Sequence, residues 1–446
     1  MARQYFGTDG IRGRVNAHPM TAETALRLAI AAARTFAPNG GREVVIGRDT
    51  RRSGEMIEAA LIAGLTSMGL KPVLLGVVPT PNVALMTRET GAALGLMVSA
   101  SHNKADDNGV KLFSPEGIKL TDETEEALES AMASAFEGKY PAPSTVSTPH
   151  SLTGATTLYL DRCLQAVGTD MDLSALKIVL DCAHGAAFEV GPAALRQLGA
   201  NLTIIGDQPD GLNINAGVGS TATDLLKTTV VDTGADIGIA FDGDADRVVV
   251  VDETGEEVDG DQVMALIAGE LHRAGKLTGG GMVATVMSNM GLAEYLKELD
   301  LTLARTKVGD RYVGEHMRQH GFNLGGEQSG HIILSDVSTT GDGLLAALQV
   351  LKTLSNSDRP ASELLHVFDP APQKLVNIRF NGSNPLDADT VKAALSDADD
   401  MLGKRGRMVV RKSGTEPLIR VMAEALEEDL MLRALAHVVS AVEAAA

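Results

Sequence analysis

The segment GADIGIAFDGDADR, residues 234–247, starts at a glycine, runs through an apolar stretch and stops at three aspartates. The same order recurs in GAALGLMVSASHN (91–103) and GFNLGGEQSGH (321–331). Each is preceded by a unit that reads strand, polar loop, helix: EVVIGRDTRRSGEMIEAALIAGLTSMG (43–69), LKIVLDCAHGAAFEVGPAALRQLG (176–199) and MVATVMSNMGLAEYLKELD (282–300). The apolar, β-branched starts read as buried strands, and the Ala/Leu segments have helical spacing. Three repeats in one order predict an α/β protein with three related domains built on mixed sheets. Ligands of open α/β sheets bind at strand ends. Three polar loops facing one another would therefore make one composite site in a central cleft.

Residues 374–446 break the pattern. KLVNIRF (374–380) and RGRMVVRKS (405–413) read as strands, and LEEDLMLRALAHVVSAVEAAA (426–446) as a closing helix. That is a smaller C-terminal α+β domain. Two stretches read as linkers: GKYPAPSTVSTPHSLTG (138–154), rich in Pro, Ser and Thr, and DPAPQ (369–373). The boundaries expected from these signals are 1–150, 151–253, 254–368 and 374–446, with a hinge near 369–373.

Composition excludes several classes. A chain of 446 residues is too long for one core. With no tryptophan, 3% aromatics and a net charge of -19, a base-stacking nucleic-acid binder is not expected. A cleft can still be locally basic, so a small anionic ligand remains open. Cys163 and Cys182 cannot build a disulfide framework or a zinc quartet, which fits a cytoplasmic protein. The opening MARQYFGTDG lacks the apolar core of a signal peptide, and no apolar run is long enough to span a bilayer.

The polar loops carry the chemistry. In an extended loop alternate side chains point one way, so Asp242, Asp244 and Asp246 would converge. Hard oxygen ligands suit Mg²⁺, which keeps positions open for water or a phosphate oxygen. An EF-hand is rejected, because Arg247 stands where its glycine is needed and an apolar run follows. The competing reading is a solvated acidic turn. In SASHNKADDNGVKLF (99–113), Ser101 follows a strand and precedes His102 and Asn103, with Lys111 nearby. No GxSxG surrounds Ser101, so acyl transfer is disfavoured. A phosphorylated Ser101 would instead supply the metal with the ligand that three aspartates leave open.

RKSGTEPLIR (411–420) suits a phosphate, through the forks of Arg411 and Arg420 and the hydroxyls and amides of Ser413, Gly414 and Thr415. In GEQSGH (326–331), Glu327 and Ser329 suit sugar hydroxyls and His331 suits proton transfer. FGTDGIRGR (6–14) adds Arg12 and Arg14, and KVGDRY (307–312) adds Gly309 and Arg311, each able to reach an anion. Cys182 beside His184 has no third group to orient it and reads as structural.

Taken together, FGTDGIRG, SASHN, DGDADR, GEQSGH and RKSGTEP occur in the order of the α-D-phosphohexomutase superfamily, which the chain resembles along essentially its whole length. Gln328, where other branches carry methionine, resembles the glucosamine branch. The resemblance implies a four-domain enzyme around a central cleft. It would interconvert glucosamine 6-phosphate and glucosamine 1-phosphate through a 1,6-bisphosphate, on the route to UDP-N-acetylglucosamine. Ser101 would carry the phosphoryl group, and Mg²⁺ would be held by Asp242, Asp244, Asp246 and a Ser101 phosphate oxygen. A hexose 1,6-bisphosphate would act as activator or phosphoryl source. Lys111 or His331 would serve as the base and His102 would support the loop. Arg12 and Arg247 would stabilise the transferring oxygens. A homodimer is compatible with this reading. One departure stands out: Lys104 replaces the proline that usually follows SASHN, which puts the loop's stiffness in question. The rivals are a phosphomanno- or phosphoglucomutase, a Mg²⁺-dependent phosphatase and a non-catalytic sugar-phosphate sensor.

Overall fold

The computed structural model describes residues 5–7, 9–168, 170–412 and 417–446. The first three domains repeat one plan. In each, a first strand pairs in parallel with a second, and the second turns back into an antiparallel partner. The second and third strands are Leu94–Val98 and Asp107–Phe113, Ile237–Phe241 and Val248–Asp252, and Leu324–Gly326 and Ile332–Leu334. The parallel first strands are Glu43–Arg48, Lys177–Asp181 and Gly281–Thr285. The polar loops expected from the sequence are the turns between the antiparallel pairs. Every residue of Leu94–Val98 and of Ile237–Phe241 is buried, because helices cover both sheet faces. That is why these strands read as unbroken apolar runs.

The sheets hold six, five and four strands, and the C-terminal domain adds an antiparallel sheet of three. The architecture is α/β with mixed sheets, followed by the smaller α+β domain. The Pro/Ser/Thr-rich segment 138–154 does more than connect. It forms the short 3₁₀ turn Pro143–Thr145 and the strand His150–Ser151, which pairs in parallel with Lys71–Val77 at the sheet edge. A two-residue edge strand leaves little unpaired backbone for another chain to join.

The second and third domains share one hydrophobic core, running from Tyr159 to Leu365. Helix Gly260–Arg273 carries ten consecutive buried residues, Gly260–Gly269, as a helix enclosed on all sides must. The first and last domains keep cores of their own.

The segment 369–373 is strapped to the third domain. The Asn289 side chain donates to the Ala371 carbonyl at 3.0 Å and accepts from the Ala371 amide at 2.9 Å. Beyond it, Arg407 donates from Nη1 to the Val286 carbonyl at 2.7 Å and from Nη2 to the Ser288 carbonyl at 2.5 Å, and Glu424 accepts from the Met290 amide at 2.6 Å.

Candidate active site

Ser101 lies at the tip of the loop after strand Leu94–Val98. It is buried and adopts φ 53°, a left-handed conformation uncommon for a residue with a Cβ. Its amide donates to Ser99 Oγ at 2.9 Å. Its own hydroxyl crosses the domain boundary and donates to Asp242 Oδ2 at 2.6 Å.

Asp242, Asp244 and Asp246 do converge, with ligand oxygens within 4.8 Å of one another. The expected means was wrong, however. The loop is a turn rather than an extended run, closed by Ala245 N–H to the Asp242 carbonyl at 3.0 Å, with Ala245 at φ 55°. The chain folds around the carboxylates because the strand on either side must reverse within six residues, 242–247. Thr80 of the first domain donates from Oγ1 to Asp244 Oδ2 at 2.5 Å and from its amide to the Asp244 carbonyl at 2.9 Å.

The donor set fits a hard divalent cation. Among the described residues, the buried Asp244 Oδ1 has no hydrogen-bond partner, and Asp246 Oδ1 has only His331 Nδ1 at 3.6 Å, so lone pairs that are costly to bury are left for a cation. Burial and the Asp246 and Asp244 charges push the Asp242 carboxyl up to about 8. A bound cation would reverse that, since its charge dominates local electrostatics.

Cations of the protein surround the triad. Lys111 Nζ lies 2.7 Å from both Asp244 Oδ2 and Asp246 Oδ2, and 3.3 Å from Asp9 Oδ2. Lys119 joins Asp9 at 2.6 Å to Asp310 at 2.5 Å. His331 closes the circuit, with Nε2 3.0 Å from Asp310 and Nδ1 3.6 Å from Asp246. Asp9, Lys119, Asp310, His331, Asp246 and Lys111 thus form a ring of alternating charge across three domains. Burial would lower the His331 imidazole, but Asp310 and Asp246 overcome it and raise it to about 10. The Gly341 amide also points at Nε2 from 3.0 Å, which would favour a neutral ring; two carboxylates outweigh one amide. Burial likewise opposes the Lys111 charge, and the aspartates hold it well above the usual range. His102 behaves oppositely. Burial, Arg247 and Arg12 lower it to about 4, so its Nδ1 is a neutral acceptor 3.2 Å from Arg247 Nη1. Arg12 reaches Asp9 at 3.3 Å.

In the third loop, Glu327 accepts from the Gly309 amide at 3.1 Å, and burial pushes its carboxyl up. Ser329 is exposed. Arg311, expected to reach an anion, does not face one: it is committed to Asp122 and Glu125 of the first domain, each at 2.5 Å. In the last domain Arg411 and Arg420 are direct cross-strand partners on Gly406–Lys412 and Leu418–Ala425. Like charges so placed repel. Burial and Arg420 lower the Arg411 guanidinium, with Glu327 opposing. Among the described residues, the buried Arg420 Nε has no partner. An anion between the two forks would relieve both defects. Ser413, Gly414 and Thr415 lie outside the described residues.

Models of the phosphoglucomutase/phosphomannomutase family match the chain in four pieces. The alpha/beta/alpha domains I, II and III match residues 3–139, 157–255 and 259–370, and the C-terminal domain matches 375–441. A phosphoglucosamine mutase of Hyphomonas neptunium is 73% identical over 446 residues, covering 100% of this chain and 99% of its own. One from Phenylobacterium zucineum is 53% identical over 443 residues, covering 99% and 98%. The chain belongs to the phosphoglucosamine mutase family. Among solved structures, a phosphoglucomutase/phosphomannomutase family protein of Burkholderia thailandensis superposes with a TM-score of 0.83 at 26% identity, covering 98% of this chain and 97% of its own. The Aspergillus fumigatus N-acetylphosphoglucosamine mutase, solved with GlcNAc-6P and magnesium, shares the fold at a TM-score of 0.62 and 20% identity, covering 99% and 96%.

Several residues of this mutase site were not singled out by sequence reasoning. Asp9 and Asp310 stand inside quoted motifs, FGTDGIRGR and KVGDRY, and were legible there as carboxylates beside arginines. Thr80, Lys119, Arg51 and Asn215 have no local pattern that marks them.

Proposed function

We propose that this mutase converts glucosamine 6-phosphate to glucosamine 1-phosphate by passing a phosphoryl group through Ser101. One observation carries the reading: the Ser101 hydroxyl of one domain lies 2.6 Å from the central carboxylate set of another, in a buried site. A hydroxyl so placed puts a phosphoryl oxygen beside the cation site. Asp242, Asp244 and Asp246 would hold Mg²⁺ together with that oxygen. The cation would neutralise and polarise the phosphoryl group.

Phospho-Ser101 gives its phosphoryl group to the free hydroxyl of the bound sugar phosphate, leaving a 1,6-bisphosphate. After the sugar turns over, the other phosphate returns to Ser101. Lys111 or His331, beside the triad, is the candidate base. Both are held protonated in the ring, so either must first release its proton to a neighbouring carboxylate or water before it can take that of the attacking hydroxyl. Arg247, propped by His102, and Arg12 face the oxygens in transfer. Glu327, Ser329 and the Gly309 backbone hold the sugar. Arg411 and Arg420, with Ser413, Gly414 and Thr415, grip the phosphate that is not reacting, in either orientation. Closure of the last domain keeps out water, the competing acceptor. A hexose 1,6-bisphosphate loads Ser101. The units 1–150, 151–253, 254–368 and 374–446 supply one loop each. A cytoplasmic setting suits the two free, buried thiols Cys163 and Cys182. Among the described residues no helix is long and apolar enough to cross a membrane.

Phosphorus NMR with Mg²⁺, a trace of hexose 1,6-bisphosphate and glucosamine 6-phosphate tests the reading. A growing glucosamine 1-phosphate signal is expected, and Ser101→Ala should reduce it by roughly 10³-fold or more. Free phosphate instead would mean a phosphatase. Faster turnover of glucose or mannose 6-phosphate would move the protein to a sister branch. Binding without turnover would mean a sensor.

A further inference from the structure

The serine loop holds a left-handed residue, Ser101 at φ 53°, without the stiffening proline that Lys104 replaces. Other contacts hold its backbone. Arg51 is fully buried, and all five N–H bonds of its guanidinium are engaged. Nε donates to Asp49 Oδ2 at 2.9 Å. Nη1 donates to the carbonyls of Lys104 and Asp107 at 2.5 and 3.0 Å. Nη2 donates to those of Ser101 and Asn103 at 2.9 and 2.6 Å.

Asn215 meets the same loop from the second domain. Its Nδ2 donates to the carbonyls of Ser101 and Asn103, at 2.9 Å each. Each of these two carbonyls thus receives one donor from its own domain and one from the neighbour. Gly243, between two of the aspartates, closes the third side. A Cβ there would lie 2.6 Å from the Ser101 carbonyl oxygen and 2.7 Å from Asn215 Nδ2.

We propose that Arg51 and Asn215 are the positioning residues of the phosphoryl-carrying serine, a two-domain clamp on its backbone that aims Oγ at Asp242. The inference rests on Ser101 being the carrier. Both residues act through backbone carbonyls rather than on the reacting atoms. In-line transfer to and from one serine depends on where its oxygen lies, and a misplacement of about 1 Å costs about 10²-fold in rate. The clamp takes over what a proline after Asn103 would contribute. It also ties the loop to the domain that holds the cation.

The test compares Arg51→Lys and Asn215→Gly in the full chain. Lysine keeps the charge beside Asp49 but has three donors and no planar fork. Glycine keeps the left-handed backbone that Asn215 adopts at φ 55° and removes its side chain, donors included. Phosphorylation of Ser101 by hexose 1,6-bisphosphate is followed by intact-protein mass spectrometry, alongside steady-state kinetics on glucosamine 6-phosphate. The loading rate and kcat should fall together by about 10- to 100-fold, with KM changed by no more than about twofold. If Arg51→Lys does not fold, Asn215→Gly decides. A full loading rate in folded Asn215→Gly, or a loss confined to KM, overturns the clamp. Ser101→Ala, run in parallel, separates the two levels. If it still turns over, the carrier reading fails and the clamp with it; if it is inactive while Asn215→Gly loads normally, the clamp alone fails.

Discussion

The junction among the first three domains and the junction to the fourth are built from different interactions. The first three meet at a buried ring of six alternating charges, and two of them share a core. Among the described residues, the hydrogen bonds that leave the fourth domain end on one loop, residues 286–290. A buried ion pair resists displacement, because separating it leaves a charge without water or partner. A domain held along a single loop can pivot about it with those bonds intact. The serine and aspartates therefore sit on a floor tied together by buried charges, and the arginine pair on a domain held along one short stretch. Asn289 fastens Ala371 to the third domain, so a hinge within the expected segment 369–373 would have to lie after Ala371.

Breaking the ring should have the largest effect on stability. Lys119→Met leaves the buried Asp310 and the half-buried Asp9 with less compensation, and should cost about 3 kcal/mol in denaturant unfolding. A loss no larger than that of a surface substitution would show that the ring is not what fixes the floor. In the fourth domain, Arg411→Ala should raise KM for glucosamine 6-phosphate by about 10- to 100-fold, the worth of a charge-assisted hydrogen bond. Because Arg411 and Arg420 repel, the thermal midpoint should hold or rise. An unaltered KM would place the phosphate grip elsewhere.

The smallest effect sharpens the joint itself. Asp261 accepts from the Asn289 amide at 2.7 Å, and burial, with help from Asp259, pushes its carboxyl up to about 7. The folded state therefore holds this proton more tightly than the unfolded chain does. The resulting stability is fully present below the ordinary carboxylate range and is lost as pH rises through 7. Asp261→Asn should melt a few degrees higher than the parent at pH 8, with the gap closing toward pH 4. Calorimetry across that range checks it, and a gap independent of pH would remove Asp261 from the account.

Much of the fold was readable because its signals are local. An apolar run that stops at a polar cluster marks a buried strand ending at a surface, and three such runs in one order mark three domains. Cys182 read as structural from its surroundings alone, and it is buried with its thiol pushed well up by burial. Residues whose roles depend on distant partners were misread or missed. Arg311 looked like an anion ligand, yet Asp122 and Glu125, far upstream, already use its fork. Segment 138–154 read as a spacer, since nothing in it announces that His150–Ser151 finds an open sheet edge at Lys71–Val77.

The sequence by itself determined which groups the site would contain: one serine, three clustered carboxylates, and arginines near glycines, each set by short-range pattern. Only the tertiary structure decided how they are held. The charge ring and the clamp of Arg51 and Asn215 on Ser101 join residues 21 to 191 positions apart in the chain. Such contacts arise from domains packing together, and electrostatics in a buried site depends on what surrounds a group rather than on what precedes it in the chain.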